Sequence, residues 1–310
     1  MIGLKDVLAA ARRIRPFLAP TLVEFAPDFG QTWLKLENTN PTHSFKARGA
    51  LNAVLGLPPH LRSRVVTASS GNHAQGMAWA TGVVPTMMEI VMPADAPQRK
   101  IDGVRRFGLT PRLMPDGYDA AETEALRLAR EENYTYISPY NHPLVAAGNG
   151  TVGLEIIEQL PSTRRVIVPV GGGGLIGGMA AAIKALDPSI EVIGVNAAVA
   201  PDMYNEYYGT SLPIGHDTLA DALPGAVETG SITLDLARAH VDQIVLVDED
   251  AIAAAMRWLL DHTGWIVEGG GAVGIAALLS GVIEPGDIQT AVVISGGNVD
   301  PAVVRRVMLA

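Results

Sequence analysis

The chain predicts an α/β fold in which mainly parallel sheets are flanked by helices. Short apolar runs alternate with helix-like segments along all 310 residues, which is the pattern of parallel strands joined by helical crossovers. Strands are predicted at residues 33–37, 64–68, 89–93, 134–138, 165–170, 191–195, 243–247 and 291–295. Helices are predicted at residues 98–107, 119–132, 144–160, 175–186, 249–262 and 271–281.

Length and composition narrow the class of protein. The chain exceeds the size at which one hydrophobic core usually stops growing, so two domains are expected. A net charge of −9 without a basic run argues against nucleic-acid binding. The absence of cysteine excludes disulfides, zinc–thiolate sites and a cysteine nucleophile, and it fits a cytoplasmic protein. The N-terminal segment lacks the apolar core of a signal peptide.

One uncharged run approaches the length of a membrane span. Residues 166–183, "VIVPVGGGGLIGGMAAAI", carry no charge, but six glycines and a proline lie among them. A strand, a glycine turn and a buried helix explain the run better, so no membrane contact is expected.

Three predicted strands end in loops of glycine and small polar residues. These loops are "SSGNH" after 64–68, "GGGG" after 165–170 and "SGGN" after 291–295. Ligands of open α/β sheets bind at the carboxyl ends of the strands, so the three loops predict one shared site.

The four consecutive glycines at 171–174 predict an anion cradle. Glycines let backbone N–H groups converge, and the following helix start adds positive potential, which favours phosphate. The alternative is a tight packing turn. Gly172, Gly174 and Gly177 also match the dinucleotide pattern G-x-G-x-x-G, but the next strand ends in Asn196 rather than in the acidic residue which that pattern requires.

Lys46 lies in the first turn of a predicted helix, where a cation is disfavoured. Ser44 is the predicted N-cap, and Arg48 follows closely. One interpretation is that Lys46 points into solvent. The other is that the helix start and the cationic neighbour lower its pKa, which suits a lysine that forms a Schiff base with a carbonyl cofactor.

The loop at 69–73 offers hydroxyl, amide and imidazole groups at another helix start. Ser69, Ser70, Asn72 and His73 could hold a substrate carboxylate and a phenolic oxygen, although an ordinary cap and a structural histidine are the alternative. Ser295 and Glu268 precede glycines at 296–297 and 269–271, and each by itself is explained by a turn.

In combination these segments resemble a known family. "PTHSFKARGA", "SSGNHAQGMA", "VMPADAPQRK", "GNGTVGLEI", "VPVGGGGLIGG" and "SGGNVD" are similar to the fold type II pyridoxal-phosphate enzymes, in the threonine/serine dehydratase and serine racemase branch. The resemblance covers nearly the whole chain. It implies a tryptophan synthase β-like fold with two α/β domains.

The resemblance also implies roles for individual residues. Lys46 and Ser70 are the implied catalytic residues, and pyridoxal 5'-phosphate is bound covalently by Lys46. The other implied cofactor-binding residues are Phe45, Asn72, Gly171, Gly172, Gly173, Gly174, Leu175, Glu268 and Ser295. The implied substrate-binding residues are Ser69, Ser70, Gly71, Asn72 and His73.

The implied activity is β-elimination from a β-hydroxy-α-amino acid such as L-threonine or L-serine, giving a 2-oxo acid and ammonia. A serine or other amino-acid racemase is one alternative, because Ser70 would supply a second base on the opposite face of the cofactor. A specialised catabolic dehydratase of the hydroxyectoine-pathway or phenylserine type is another. A nicotinamide-dependent enzyme and a non-catalytic binding module are the readings from other classes.

Several residues depart from the family pattern. His43 stands where the family usually has glycine, "EGGGA" at 268–272 replaces Glu-Pro-Ser/Thr-Gly, and Ala222 replaces glycine. Asn196 aligns with a glutamate of a divalent-cation site, of which Asp202 remains, so no metal site is assigned.

The resemblance further implies an organisation into two domains. Residues 1–54 and 142–310 are expected to form a large cofactor domain, and residues 55–141 a small mobile substrate domain. A homodimer without a C-terminal regulatory domain is expected.

Overall fold

A computed structural model describes residues 2–228 and 230–309. Its strands are β1 (Val23–Phe25), β2 (Thr32–Leu36), β3 (Arg64–Ala68), β4 (Met87–Pro93), β5 (Arg112–Met114), β6 (Thr135–Tyr136), β7 (Arg165–Pro169), β8 (Glu191–Ala197), β9 (Gln243–Val247) and β10 (Thr290–Ile294). Its helices are α1 (Leu4–Ile14), α2 (Lys46–Gly56), α3 (Pro59–Arg62), α4 (Asn72–Val83), α5 (Gln98–Arg106), α6 (Gly117–Glu131), α7 (Pro143–Gln159), α8 (Gly174–Leu186), α9 (Asp202–Tyr208), α10 (Ile232–His240), α11 (Glu249–Thr263), α12 (Gly269–Leu279) and α13 (Pro301–Leu309).

The larger sheet has six strands in the order β1-β2-β10-β7-β8-β9. All neighbouring pairs are parallel except β1 and β2, which are antiparallel. Side chains alternate between the two faces: Ile167 and Ile193 belong to one hydrophobic cluster, whereas Val166 and Val168 belong to another. The first cluster includes residues of α11 and α12, and the second includes residues of α8 and α10, so helices cover both faces.

The smaller sheet has four parallel strands in the order β5-β4-β3-β6. Val66 and Val91 pack against α6, whereas Val65 and Ile90 share a cluster with residues of α2, α4 and α5. The predicted α/β class, with parallel sheets between helices, is therefore confirmed. The four strands lie between residues 64 and 136, and the strands of the larger sheet lie before and after them.

Several local details differ from the sequence prediction. The short edge strands β1 and β5 and the helices α9 and α10 were not among the predicted elements, and β6 has two residues instead of five. Helix α2 is bounded at Lys46, one residue later than a Ser44 N-cap requires, although Phe45 already has helical angles. The Ser44 hydroxyl nevertheless accepts a hydrogen bond from the Lys46 N–H at 3.3 Å.

Helix α7 lies between the two helices whose first residues approach the predicted site. A Cβ atom on Gly148 would lie 2.7 Å from the carbonyl oxygen of Arg48 in α2, and one on Gly178 in α8 would collide with the carbonyl oxygen of Ala146. Only glycine allows these helices to approach so closely. The start of α2 and the start of α8 are thus held on opposite sides of one helix.

The uncharged run at 166–183 is divided between strand β7 and helix α8, as predicted. Within the described residues, every helix is too short or too polar to cross a membrane.

Candidate functional site

Lys46 is the first residue of α2 and is turned inwards. Its Nζ donates a hydrogen bond to the carbonyl oxygen of Pro139 at 2.7 Å and lies 5.3 Å from the centre of the Phe45 ring. Burial lowers the pKa of Lys46 to about 8, against the opposing effect of the Glu268 carboxylate. The solvent-facing alternative is therefore wrong, and the amine can be neutral near physiological pH.

Arg48 does not act on Lys46 in the way the sequence indicated. Its guanidinium pairs with Glu37 and Glu155, so its charge is neutralised on the far side of α2. The lowered pKa of Lys46 comes from burial.

The tetraglycine loop, residues 171–174, connects β7 to α8. A Cβ on Gly171 would lie 2.8 Å from the Leu223 carbonyl oxygen, and one on Gly172 would lie 2.6 Å from the Tyr140 ring. Gly173 has a φ of +79°, a left-handed conformation that favours glycine. Within the described residues, no acceptor takes the N–H groups from Gly172 to Leu175, which are free to bind an anion.

The polar loop, residues 69–73, connects β3 to α4. The Ser69 hydroxyl accepts hydrogen bonds from the N–H groups of Gly71 at 3.2 Å and Ala74 at 3.3 Å, so it caps the start of α4. Ser70 is half-buried beside it. The aliphatic part of Lys100 covers Gly71, where a Cβ would lie 3.0 Å from the Lys100 Cδ.

Asn72 is held from both sides of its amide. Its Nδ2 donates to Glu268 Oε1 at 2.6 Å, and its Oδ1 accepts from Asn298 Nδ2 at 2.8 Å. Asn298 also donates to the carbonyl oxygen of Thr42 at 2.8 Å. Two of the three predicted loops, those at 69–73 and 295–298, therefore meet, and the orientation of the Asn72 amide is set by its neighbours.

Glu268 lies at the N-cap position of α12 and is 2% exposed. Its Oε2 has no hydrogen-bond partner within the described residues. Burial raises the pKa of Glu268 to about 7, although the Lys100 charge and the Asn72 hydrogen bond lower it. This carboxyl group can exchange a proton near neutral pH and has an oxygen available for a further partner.

His73 is another buried group with free hydrogen-bonding capacity. It is 1% exposed, and neither ring nitrogen has a partner within the described part of the chain. Burial and the nearby Lys46 and His142 hold the pKa of His73 well below its usual value, so the ring is neutral. A buried neutral imidazole without partners is suited to a ligand that supplies them.

Ser295 follows β10 and is 5% exposed. Its carbonyl oxygen accepts a hydrogen bond from the Phe45 N–H at 3.0 Å, and Gly296 forms a bridge with Ser44. The loop after β10 is thereby fixed against the segment that carries Lys46.

Four residues of the site were not singled out from the sequence. Tyr140 packs its ring on Gly172 and donates its hydroxyl to the Ala226 carbonyl oxygen at 3.1 Å. Asn298 lies in the quoted segment "SGGNVD", and Lys100 ends the quoted segment "VMPADAPQRK". Lys100 Nζ donates to Asp221 Oδ2 at 2.7 Å and so joins α5 to the 221–224 segment. The sequence signal that could have indicated Asn298 is its position as a polar residue directly after the glycines at 296–297.

Two of the departures from the family pattern can be described from their local geometry. His43 has a φ of +53°, the region in which glycine is easiest to accommodate. Gly269 and Gly271 begin α12 in close contact with backbone: a Cβ on Gly271 would lie 2.7 Å from the Gly296 carbonyl oxygen, and one on Gly269 would collide with Leu219.

Asn196 is fully occupied by hydrogen bonds. Its Nδ2 donates to the carbonyl oxygens of Val170 and Ala200, both at 3.0 Å, and its Oδ1 accepts from the Tyr204 N–H at 3.2 Å. Asp202 retains one buried oxygen without a partner. Across residues 2–228 and 230–309, no group of three or more His, Cys, Asp or Glu side chains could hold a metal ion.

These observations fit pyridoxal 5'-phosphate. The free N–H groups of the tetraglycine loop suit a phosphate, and the amine of Lys46 suits an aldehyde. The unpartnered atoms of Glu268 and His73 leave hydrogen-bonding capacity for the polar groups of the ring and of a substrate.

Comparisons with known proteins agree with this site. The family of pyridoxal-phosphate dependent enzymes matches residues 14–296. The L-threonine ammonia-lyase of Thermotoga maritima is 40% identical over 99% of this chain and 78% of the relative. Maize serine racemase superposes with a TM-score of 0.91 at 31% identity, covering 99% of this chain and 97% of the other. The processed threonine deaminase isoform 2 of Solanum lycopersicum superposes with a TM-score of 0.89 at 34% identity, covering 99% and 91%.

Proposed function

Because this chain belongs to the family of pyridoxal-phosphate dependent enzymes, we propose that it is an ammonia-lyase acting on a β-hydroxy-α-amino acid such as L-threonine or L-serine. The reaction eliminates the β-hydroxyl as water, and hydrolysis of the resulting enamine gives a 2-oxo acid and ammonia. The 40% identity to an L-threonine ammonia-lyase supports the substrate class.

The bound cofactor supplies an electron sink that weakens the Cα–H bond of the amino acid. The chain's own residues provide the proton transfer. The amine of Lys46, neutral above a pH of about 8, takes the proton from Cα. The Glu268 carboxylate, which accepts a hydrogen bond from Asn72, acts on this amine electrostatically.

The two strand-end loops divide the binding work. The free N–H groups of the tetraglycine loop bind the cofactor phosphate, assisted by the positive end of α8. The polar loop holds the substrate carboxylate: both ring nitrogens of His73 are without partners in the described chain, and Ser70 is half-buried, whereas Ser69 keeps the turn in shape. Ser295, which follows β10, would face the cofactor ring.

One observation carries the proposal: an inward-facing lysine with a lowered pKa donates to Pro139, and the next residue, Tyr140, packs on the glycine loop of free N–H groups. The purified enzyme should be yellow and should release a 2-oxo acid from a β-hydroxy amino acid. Borohydride reduction should place the cofactor on the peptide that contains Lys46. Lys46→Ala should abolish both the colour and the turnover, whereas Lys5→Ala, on the exposed face of α1, should retain them. A colourless protein with full turnover would refute the proposal.

Racemisation is the second candidate, and the half-buried Ser70 in the polar loop favours it. The similarity to maize serine racemase adds support. Chiral analysis of recovered substrate separates the two activities, because only a racemase returns both enantiomers. Ser70→Ala should then remove racemisation and spare elimination. The same assay, run over threonine, serine, phenylserine and hydroxyaspartate, tests the specialised catabolic alternatives.

We also propose the two-domain organisation with residues 55–141 as the small domain, supported by the separation of the strands into two sheets. A homodimer in the cytoplasm completes the proposal. Sedimentation velocity tests the dimer, and small-angle scattering with and without a substrate analogue tests domain closure.

A further inference from the structure

A cluster of four buried charged side chains lies behind Lys46 and takes no part in the proposed chemistry. Arg48 of α2, Lys35 of β2, Glu37 and Glu155 of α7 are each at most 3% exposed. The charges of this cluster balance, two positive against two negative.

Arg48 is bound through its whole guanidinium. Nε and Nη2 donate to the two oxygens of Glu37 at 2.7 and 2.8 Å, and Nη1 and Nη2 donate to the two oxygens of Glu155 at 2.5 and 2.7 Å. Nη1 also donates to the Thr151 hydroxyl at 3.2 Å. Two bidentate pairs fix both the position and the plane of the guanidinium.

Lys35 completes the cluster from the other side. Its Nζ donates to Glu155 Oε2 at 2.7 Å, to the Thr21 carbonyl oxygen at 2.9 Å and to Gln159 Oε1 at 2.7 Å. Burial lowers the pKa of Lys35. Burial by itself would raise the pKa of Glu37, but the Arg48 charge counteracts this and the pKa of Glu37 is lowered. Glu37 is therefore ionised beside Arg48 in the folded protein.

Stability alone does not explain such a cluster. Removing four charges from water costs several kcal/mol per ion, and well-packed apolar side chains are often equally or more stabilising. The value of the cluster must lie in its geometry.

The geometry concerns the segment that carries Lys46. The pairing of Arg48 with Glu37 closes a loop of the chain, and Lys46 lies two residues before the closure. Within the loop, Asn40 donates to Glu37 Oε2 at 2.7 Å, and its carbonyl oxygen accepts from the His43 N–H at 2.7 Å. Both ends of the Lys46 segment are thus anchored to one set of carboxylates.

The same carboxylates connect this segment to the tetraglycine loop. Glu155 and Thr151 project from α7, and α7 packs against α8, the helix that begins at Gly174. The cluster therefore fixes the start of α2 to the helix that also fixes the start of α8.

We propose that Arg48 is a positioning residue: its two bidentate ion pairs, with Glu37 and Glu155, set the position of the Lys46 amine relative to the tetraglycine loop. The contacts that define this role are independent of the bound cofactor. Only the second of the two tests below rests on the proposed function.

The first test uses the protein without cofactor. The rate at which acetic anhydride labels Lys46, followed by peptide mass mapping across pH, reports the pKa of Lys46. Glu268 and His73 face this amine and remain unchanged in every variant. The native midpoint should lie near 8. Arg48→Lys keeps the charge but loses the bidentate ion pairs, so the midpoint should move toward the ordinary lysine value of about 10.4.

Asn52→Ala is the matched control. Asn52 is buried on the same helix and donates to the Leu144 carbonyl oxygen at 2.6 Å, so its loss also lowers stability. Its labelling midpoint should remain near the native value. If Arg48→Lys melts at a lower temperature but keeps the native midpoint, or if Asn52→Ala shifts it equally, the positioning role is refuted.

Glu155→Gln keeps the shape of the side chain and serves if Arg48→Lys does not fold. It is judged by the same midpoint: a shift supports the role, and an unchanged midpoint overturns it. In the second test, Arg48→Lys should bind pyridoxal 5'-phosphate at least about tenfold more weakly than Asn52→Ala. A native protein that binds none of this cofactor would count against the proposed function, whereas the labelling result would still decide the role of Arg48.

Discussion

The tetraglycine loop and the polar loop occupy equivalent places in the two sheets, yet they are built in opposite ways. Each follows a parallel strand and precedes a helix. The tetraglycine loop depends on missing side chains, since a Cβ on Gly172 would meet the Tyr140 ring at 2.6 Å. The polar loop depends on side chains that find distant partners: Asn72 bonds to Glu268 and to Asn298, 196 and 226 residues further along the chain.

The difference teaches where the information for each loop resides. A loop made of free N–H groups needs only its own backbone conformation and the adjoining helix start. A loop made of oriented side chains forms its hydrogen bonds only when residues from distant segments of the folded chain lie beside it. Substitutions should therefore act locally in the first loop and through remote residues in the second.

The largest effect is expected at Gly172. Gly172→Ala places a Cβ against the Tyr140 ring, and overpacking of this kind costs up to about 3 kcal/mol, which corresponds to about 100-fold in affinity. Titration with pyridoxal 5'-phosphate should show this loss. Gly82→Ala is the control, because nothing lies within 4 Å of its added Cβ. Equal affinities in the two variants would break the comparison.

Glu268 gives the next effect, on stability against pH. The folded pKa of about 7 lies above the ordinary value of 4.5, so the native state favours the protonated form. The contribution to stability is complete below pH 4.5 and is lost as the pH rises through 7, by about 3 kcal/mol.

The amide side chain introduced by Glu268→Gln has no carboxyl proton to lose. The free energy of unfolding of this variant, relative to that of the native cofactor-free protein, should therefore increase between pH 4.5 and 7. Urea unfolding at pH 5 and pH 8 measures this difference. Parallel pH profiles would mean that the carboxyl group is not perturbed by burial.

A smaller effect is expected on stability, as an energetic coupling between Asn72 and Asn298. If Asn298 orients the Asn72 amide, the unfolding free energies of Asn72→Ala, Asn298→Ala and the double variant should not add. We expect a coupling energy of about 1.5 kcal/mol from chemical denaturation, because each single variant leaves the other amide without its partner. Additive values would show that the polar loop keeps its shape without the loop after β10.

The smallest effect concerns the local part of the polar loop. Ser69→Ala removes the acceptor for the N–H groups of Gly71 and Ala74, a capping loss of about 1 kcal/mol. Ser70→Ala, one residue along, should change the stability by less than about 0.5 kcal/mol. Thermal unfolding of both variants without cofactor measures the contrast, and equal losses would contradict the capping role of Ser69.

Individual strands show how much of the secondary structure could be predicted from the sequence. The strands at 64–68 and 243–247 coincide with β3 and β9, because apolar runs bounded by turn residues leave few other conformations. The antiparallel edge strand β1 was missed, since three residues with one exposed face carry almost no periodic signal.

The candidate site divides in the same way. Lys46, Asn72, Glu268 and the tetraglycine loop carry signals in their own segments, and the structure brings the first three of them together. Tyr140 gives no such signal, because its importance comes from lying on Gly172.

The sequence by itself determined the alternation of strands and helices and the free backbone N–H groups of the tetraglycine loop. Both follow from steric limits and side-chain patterns within a few residues. Only the tertiary structure decided that Lys46 is half-buried with a lowered pKa, and that Arg48 pairs with Glu37 and Glu155 instead of acting on Lys46. Desolvation and charge pairing depend on which groups lie within a few ångströms, and distant parts of the chain supply those groups.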